Sequence, residues 1–498
     1  MTDLPLYRRP AVLVLLLAAI LVFAFQGSRP LWEPDEGRFT NVALQMLLTG
    51  DFISLYRHHE TFHFTKPPVT YWAIAASVTA FGWNEWAARL PNALAWLGVV
   101  ALLLRIGRHF APRRPWLPAL IYATLPFPLL GAHVVTTDTP LAFATTLAFA
   151  CYAIARFENR PGLVVAMWAA FGLAFMSKGP PGLLGLLGIV AFHLTHRGGP
   201  RLFPPLGLLL FAAVGLTWYG VVIARHEGLL AYFVGHEVIA RIGTDTHNRH
   251  PEWWGGFYVY GTSLALGTLP WWPWALGAAR RAGMRWREAA PETRLLLLWV
   301  GIALAVFMLA QSRLPLYILP LFAPIALLFG RALQDSTFTA WRKVAIGLVA
   351  GFVVFVKLVT AYKIEIAEWL PDSIGSEVSI HKDSRNWARE LQAVLPFRPT
   401  EVVFVNDMAR YGLHLYLGAE VEKIDFDGVM AEKPLSDAPF DDTVYDELRE
   451  PKVETRAFVM RPWAEARFAA MAADAGWRAE KVGRVQDRVV YVLRPASR

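Results

Sequence analysis

RRPAVLVLLLAAILVFAFQGSRPLWEPDEGR, residues 8–38, sets an uncharged apolar run behind two arginines and follows it at once with a loop that carries acids and further arginines. At about 1.5 Å of helix rise per residue, a run of this length comes close to spanning bilayer hydrocarbon. No clear small-residue cleavage site follows, so it reads as a retained first span rather than a removed signal peptide. The pattern recurs along the 498 residues, of which 55% are hydrophobic and only 18% charged. The mean hydropathy of +0.36 exceeds what one soluble core requires. Apolar runs near 10–27, 86–104, 115–131, 139–155, 161–176, 181–195, 203–224, 257–278, 295–310, 314–330 and 343–362 predict an α-helical integral membrane protein with about 11–13 membrane helices. Pro67–Gly82 is apolar but short, and reads as a helix lying along the membrane surface.

The arginines orient these spans. With the N-terminus inside, the inner connections hold Arg105, Arg108, Arg113 and Arg114, then Arg156 and Arg160, Arg197 and Arg201, Arg280 to Arg294, and Arg331 with Arg342 and Lys343. Every one is basic, as cytoplasmic loops are. The outer set is a long loop 28–85, short turns at 132–138, 177–180 and 311–313, a loop 225–256, and everything after about 363. The net charge of +8 therefore reflects topology, and no continuous basic face for nucleic acid appears. Trp253, Trp254, Trp271 and Trp272, among 20 tryptophans, read as interface anchors. The lone Cys151 excludes an intrachain disulfide and a cysteine metal site.

Residues 1–363 thus form the membrane domain, and residues 376–498 a small soluble α/β domain. In the tail, 381–395 and 463–476 have helical patterns, whereas 401–406 and 488–493 read as strands.

Nearly all residues that look chemically purposeful fall in the outer set. Asp35, Glu36 and Arg38 follow the first span, and Lys66 ends the long loop before Pro67. Asp138 lies in Thr137-Asp138-Thr139-Pro140, Lys178 in Lys178-Gly179-Pro180, Glu237 and Arg241 in the fourth outer loop, and Arg313 with Tyr317 in the fifth. Each has a plain structural alternative. Asp35, Glu36 and Asp138 suit the first turn of a helix, while Lys66 and Lys178 suit snorkelling to the headgroups. The functional alternative is an anion site at membrane depth, where lysine and arginine hold a phosphate and an apolar groove holds its tail. Histidines 226, 236, 247 and 250 show no HxxxH or HExxH spacing, and no metal is expected there. A transporter or flippase would place ionisable groups in mid-span, and these span interiors are largely uncharged.

Taken in order and on one side, these motifs resemble the lipid-linked-sugar glycosyltransferases of the GT-C superfamily, near the bacterial aminoarabinose transferases of lipid A and the protein O-mannosyltransferases. The resemblance implies the GT-C fold and a sugar donor on a polyprenyl phosphate such as undecaprenyl phosphate. It also implies an outer-side acceptor, which is lipid A, another envelope glycan or a protein, and a single inverting displacement with no obligatory cofactor. By the same resemblance Asp35 is the catalytic carboxylate with Glu36 beside it, and Asp138 supports acceptor or sugar. Lys66, Arg241 and Tyr317 would hold the donor phosphate, with Arg38, Lys178 and Arg313 as further cations and Glu237 as acceptor or loop support. The implied location is the bacterial inner membrane, with the N-terminus cytoplasmic and the C-terminal domain periplasmic. In the aminoarabinose branch a Glu commonly precedes the lysine equivalent to Lys66, and a His follows the glutamate equivalent to Glu237. Here Thr65 and Val238 stand in those places, so the sugar stays open.

Overall fold

In the computed structural model, residues 9–59, 61–196, 198–235, 252–281, 283, 288–362, 383–427, 435–436 and 438–496 are described. They fall into two compact units. The first comprises residues 1–26, 66–70 and 89–358; the second comprises 27–65, 71–88 and 359–498. The long loop that the sequence assigned to the membrane domain therefore groups with the C-terminal domain instead. The reason is a set of contacts that hydropathy does not encode, including Arg385 on Glu85 and Tyr416 Oη donating to the same carboxylate at 2.9 Å.

In the first unit, each of the eleven expected apolar runs is helical. Among the described residues, four helices are long and apolar enough to cross a membrane on their own: Glu85–Phe110, Asp138–Phe157, Pro291–Leu309 and Pro315–Leu333. The pair Pro205–Gly215 and Thr217–Arg225, bent by 44°, makes a fifth. Others are shorter or broken, and prolines account for two of the breaks. Run 115–131 splits into Leu117–Thr124 and Pro126–Gly131, because Leu125, which precedes a proline, is extended at φ −71° and ψ 126°. Run 257–278 is interrupted before Trp271–Arg281 by Pro270, which has no N–H to continue the ladder.

Tight packing holds these helices together. A Cβ on Gly188 would lie 2.5 Å from the Trp299 Cα, so the helices Leu184–Thr195 and Pro291–Leu309 approach backbone to backbone. Trp299 in turn meets Phe149 at 4.2 Å between ring centroids. The tryptophans expected at the interface divide. Trp253 and Trp254 are exposed, but Trp271 is fully buried and donates to Thr124 Oγ1 at 3.0 Å. The physical reason is that its indole N–H finds a hydroxyl inside the bundle, so it needs no headgroup.

The expected inner connections gather at one end of this unit. Glu158, just past the helix Asp138–Phe157, takes Arg105 at 2.8 Å, Arg108 at 2.6 Å and His109 at 2.7 Å. Arg113 pairs with Asp335, Arg114 donates to the Ser336 carbonyl at 2.7 Å, and Arg156 to that of Gly198 at 3.1 Å.

The second unit is built on a six-stranded sheet. A short hairpin, β1 (Tyr56–His58) and β2 (Thr61–Phe62), belongs to the same unit. The sheet strands are β3 (Glu401–Val405), β4 (Glu420–Asp425), β5 (Asp442–Thr443), β6 (Arg456–Met460), β7 (Trp477–Val485) and β8 (Arg488–Pro495), in the order β5-β4-β3-β6-β8-β7. The first four in that order run parallel, and β8 and β7 antiparallel. The helix Ser384–Val394 covers one face through Trp387 and Leu391, and Glu465–Asp474 covers the other through Phe468 and Ala472. Central β3 and β6 are buried on both faces, which explains their near-continuous apolar sequences.

Candidate active site

Within the first unit, three of the expected residues converge from distant parts of the chain. Asp138 opens the helix Asp138–Phe157, Lys178 ends the helix Leu163–Lys178, and Tyr317 lies in the 3-10 turn Pro315–Leu321. Lys178 Nζ pairs with Asp138 Oδ1 and sits over the Tyr317 ring, 4.4 Å from its centroid. Both charged side chains are less than a tenth exposed. Asp138 caps nothing: its Oδ2 accepts from Thr136 Oγ1 at 3.0 Å, and Thr136 Oγ1 accepts from the Asp138 N–H at 3.2 Å. The first-turn alternative therefore holds for Asp138, which opens its helix without a side-chain cap bond. Its carboxylate is held by side chains and aimed at a lysine that does not snorkel.

Arg313 is buried beside this cluster. Its Nη1 donates to the Glu252 carbonyl at 2.9 Å and its Nη2 to that of Met308 at 3.1 Å, so much of its fork staples backbone. Tyr260, which the sequence analysis passed over, is fully buried and lies within electrostatic reach of Tyr317, Arg313 and Asp138. Its place inside an apolar run hid it, since only its hydroxyl sets it apart from the surrounding core. Lys66 is half-buried just before the helix Val69–Phe81. Glu237 and Arg241 lie outside the described residues, as do His236, His247 and His250.

The second unit holds Asp35, Glu36 and Arg38. The helix Asp35–Thr49 starts at Asp35, with neither acid capping it in the usual way. Asp35 is exposed and pairs with Arg38 one turn on, at 2.7 Å. Glu36 is buried; it takes Arg29 at 2.7 Å and the Trp32 N–H at 3.0 Å, which fixes the entry to the helix and keeps its carboxylate off the surface. Arg29 stacks on Trp32 at 3.9 Å from the ring centroid. This geometry gives the expected pair of acids different surroundings, Asp35 exposed and Glu36 buried.

Glu33 is the anchor that sequence reasoning missed. It is fully buried, accepts the Gly412 N–H at 2.6 Å and Ser384 Oγ at 2.8 Å, and burial pushes its carboxyl up to about 7. A Cβ on Gly37 would lie 2.4 Å from the Glu33 carboxylate oxygens, so the glycine of Asp35-Glu36-Gly37-Arg38 is needed for close approach.

Comparison with known proteins agrees with this layout. The family described as dolichyl-phosphate-mannose-protein mannosyltransferase matches residues 65–223. An undecaprenyl phosphate-alpha-4-amino-4-deoxy-L-arabinose arabinosyl transferase 2 of Pseudomonas fluorescens is 31% identical over 64% of this chain and 59% of its own length. The corresponding transferase of Aeromonas salmonicida is 33% identical over 62% of this chain and 57% of its own. The chain thus matches less than two thirds of the length of these curated relatives. The crystal structure of ArnT from Cupriavidus metallidurans bound to undecaprenyl phosphate superposes with a TM-score of 0.74 at 23% identity, covering 96% of this chain and 97% of that one. The likeness therefore extends to the C-terminal α/β domain as well as the helices. The chain thus has the fold of that ArnT structure, and its long apolar helices make it a multi-pass membrane protein.

Proposed function

We propose that this chain is a membrane glycosyltransferase that moves a monosaccharide from a polyprenyl phosphate, such as undecaprenyl phosphate, to an acceptor on the outer side of a bacterial inner membrane. Lipid A or another envelope glycan is the expected acceptor. The observation that carries this reading is the buried Asp138–Lys178 pair against Tyr317, built from three separate turns. A buried ion pair is costly as a stabilising device, so its presence at converging helix ends points to use. The names of the relatives, and the undecaprenyl phosphate bound to ArnT, supply the donor class.

In the proposed reaction, an acceptor hydroxyl oxygen attacks the anomeric carbon as the bond from that carbon to the phosphate oxygen breaks. The configuration inverts, and the hydroxyl proton passes to the exposed carboxylate of Asp35. The leaving polyprenyl phosphate gains charge, which Lys66, Lys178, Arg241 and the Tyr317 hydroxyl would stabilise. Asp138 orients acceptor or sugar and holds Lys178 in place. Arg38 sets the charge next to Asp35, Glu36 positions the motif, Arg313 braces the backbone near the cluster, and Glu237 supports the acceptor loop. Membrane lipids surround the spans, nucleic acid has no role, and no cofactor is obligatory. The basic connections face the cytoplasm, which puts the C-terminal domain in the periplasm.

The test is transfer from a polyprenyl-phosphate sugar by purified protein, with mass spectrometry of envelope glycans from cells with and without the gene. A product that appears only with the gene and is lost in Lys178→Ala supports the assignment. Unchanged glycans, together with polyprenyl lipid moved across vesicles, would establish a flippase instead.

A further inference from the structure

The second unit gathers two histidines and several carboxylates at one end of its sheet. In the parallel register Glu420 pairs with Glu401, and Glu401 with Arg456, so the first residues of β4, β3 and β6 stand side by side. Glu422, two residues along β4, points to the same face as Glu420. The hairpin brings His58 and His59 to this end. His58 Nε2 lies 2.5 Å from Glu401 Oε1 and 3.4 Å from Glu420 Oε2; His59 Nδ1 lies 2.8 Å from Glu420 Oε2. One ligand atom from each of the four side chains falls within 4.8 Å of the others.

We propose that His58, His59, Glu401 and Glu420 bind a divalent transition-metal ion, for which zinc is the best fit. Two imidazoles with two carboxylates make a four-ligand nitrogen and oxygen set that suits tetrahedral zinc, whereas magnesium and calcium favour oxygen alone.

Three further features carry the assignment. First, the supporting groups stand where a metal site needs them. Arg456 Nε holds Glu401 Oε2 at 3.1 Å and leaves Oε1 for the ion. Glu422 Oε1 stands 3.9 Å from His58 Nδ1. Second, His58 is 1% exposed, and its Nδ1 finds no hydrogen-bond partner among the described residues. Third, Glu401 and Glu447 are both buried against the Arg456 guanidinium, which holds the Glu401 carboxylate in place.

Placed between the hairpin and the starts of two sheet strands, the ion would pin residues 56–62 to the α/β sheet of the same unit. That is a structural role, independent of the proposed transfer.

The experiment uses the full chain in nanodiscs, stripped with a chelator and titrated with zinc chloride, then with cobalt chloride as a spectroscopic probe. One equivalent of zinc by elemental analysis, a tetrahedral cobalt absorption band and a zinc-dependent rise in Tm are expected. His59→Gln and Glu420→Gln, both at partly exposed positions, should weaken zinc binding at least about tenfold. Their metal-free Tm should stay near that of the wild type. Absence of stoichiometric zinc in the wild type would overturn the proposal and leave the cluster as histidine–carboxylate ion pairs. Wild-type affinity in both variants would also overturn it, because the ion would then sit elsewhere.

Discussion

Two carboxylates with the same look in the sequence, Asp35 and Asp138, end in opposite environments. Each begins a helix and each has one cationic partner. The Asp35 side chain is 59% exposed beside Arg38, itself 32% exposed, whereas Asp138 and Lys178 are 6% and 9% exposed. An exposed pair one helical turn apart contributes at most about 1 kcal/mol, so Asp35 is held loosely. A buried pair is a commitment of structure: removing one partner strands the other charge. The contrast separates a loosely held surface pair from a pair built into the packing.

The largest expected effect tests the surface pair. Asp35→Asn should lower sugar transfer by about 10²- to 10⁴-fold, the usual worth of a general base, while changing stability by under about 0.5 kcal/mol. Turnover and thermal unfolding measured on one preparation would check both halves, and near-normal transfer would remove Asp35 from the mechanism.

Next comes the buried pair. Lys178→Met should destabilise the first unit by about 3–5 kcal/mol because the Asp138 carboxylate is left buried and unpaired. Adding Asp138→Asn should restore much of that stability and none of the activity. Equal losses in the single and double variants would mean that the pair is not coupled.

A smaller effect is expected at the support beneath Asp35. Gly37→Ala forces a methyl against the Glu33 carboxylate, which Gly412 and Ser384 clamp, and overpacking of this kind costs about 1–3 kcal/mol. Thermal unfolding reads the loss directly, and an unchanged midpoint would show that Glu33 yields easily.

The smallest effect is a pH slope. Burial raises the Glu33 carboxyl from 4.5 to about 7. Between those values the folded chain keeps a proton that the unfolded chain has released, so this contribution to stability falls as pH rises through the window. Glu33→Gln keeps an acceptor for Gly412 and Ser384 but cannot titrate. Its unfolding free energy should fall less between pH 5 and pH 7 than that of the wild type, by an amount on the order of 2 kcal/mol. Parallel profiles would assign the slope elsewhere. Glu447, also raised to about 7, is the first alternative.

Composition and periodicity were enough for the membrane class, the helical runs and the separate tail, because burial in lipid demands long apolar segments whatever the partners. Motif order was enough to anticipate the fold shared with ArnT, and the convergence of Asp138, Lys178 and Tyr317 followed from putting the charged turns on one side. Breaks such as Leu125-Pro126 were visible as prolines, yet whether a proline ends a helix or kinks it depends on packing. In the tail, β4 was missed because Glu420-Val421-Glu422-Lys423 reads as a polar surface, and only its neighbours in the sheet make it a strand.

Tertiary structure alone decided the rest. It divided Asp35 from Glu36, buried Trp271, and grouped the loop 27–65 with the C-terminal domain through Glu33 and Glu85. It also drew His58 to Glu401, residues 343 positions apart. Hydropathy is a property of segments and survives in the linear chain; a charge's partner is a property of three-dimensional neighbours, and the linear chain does not carry it.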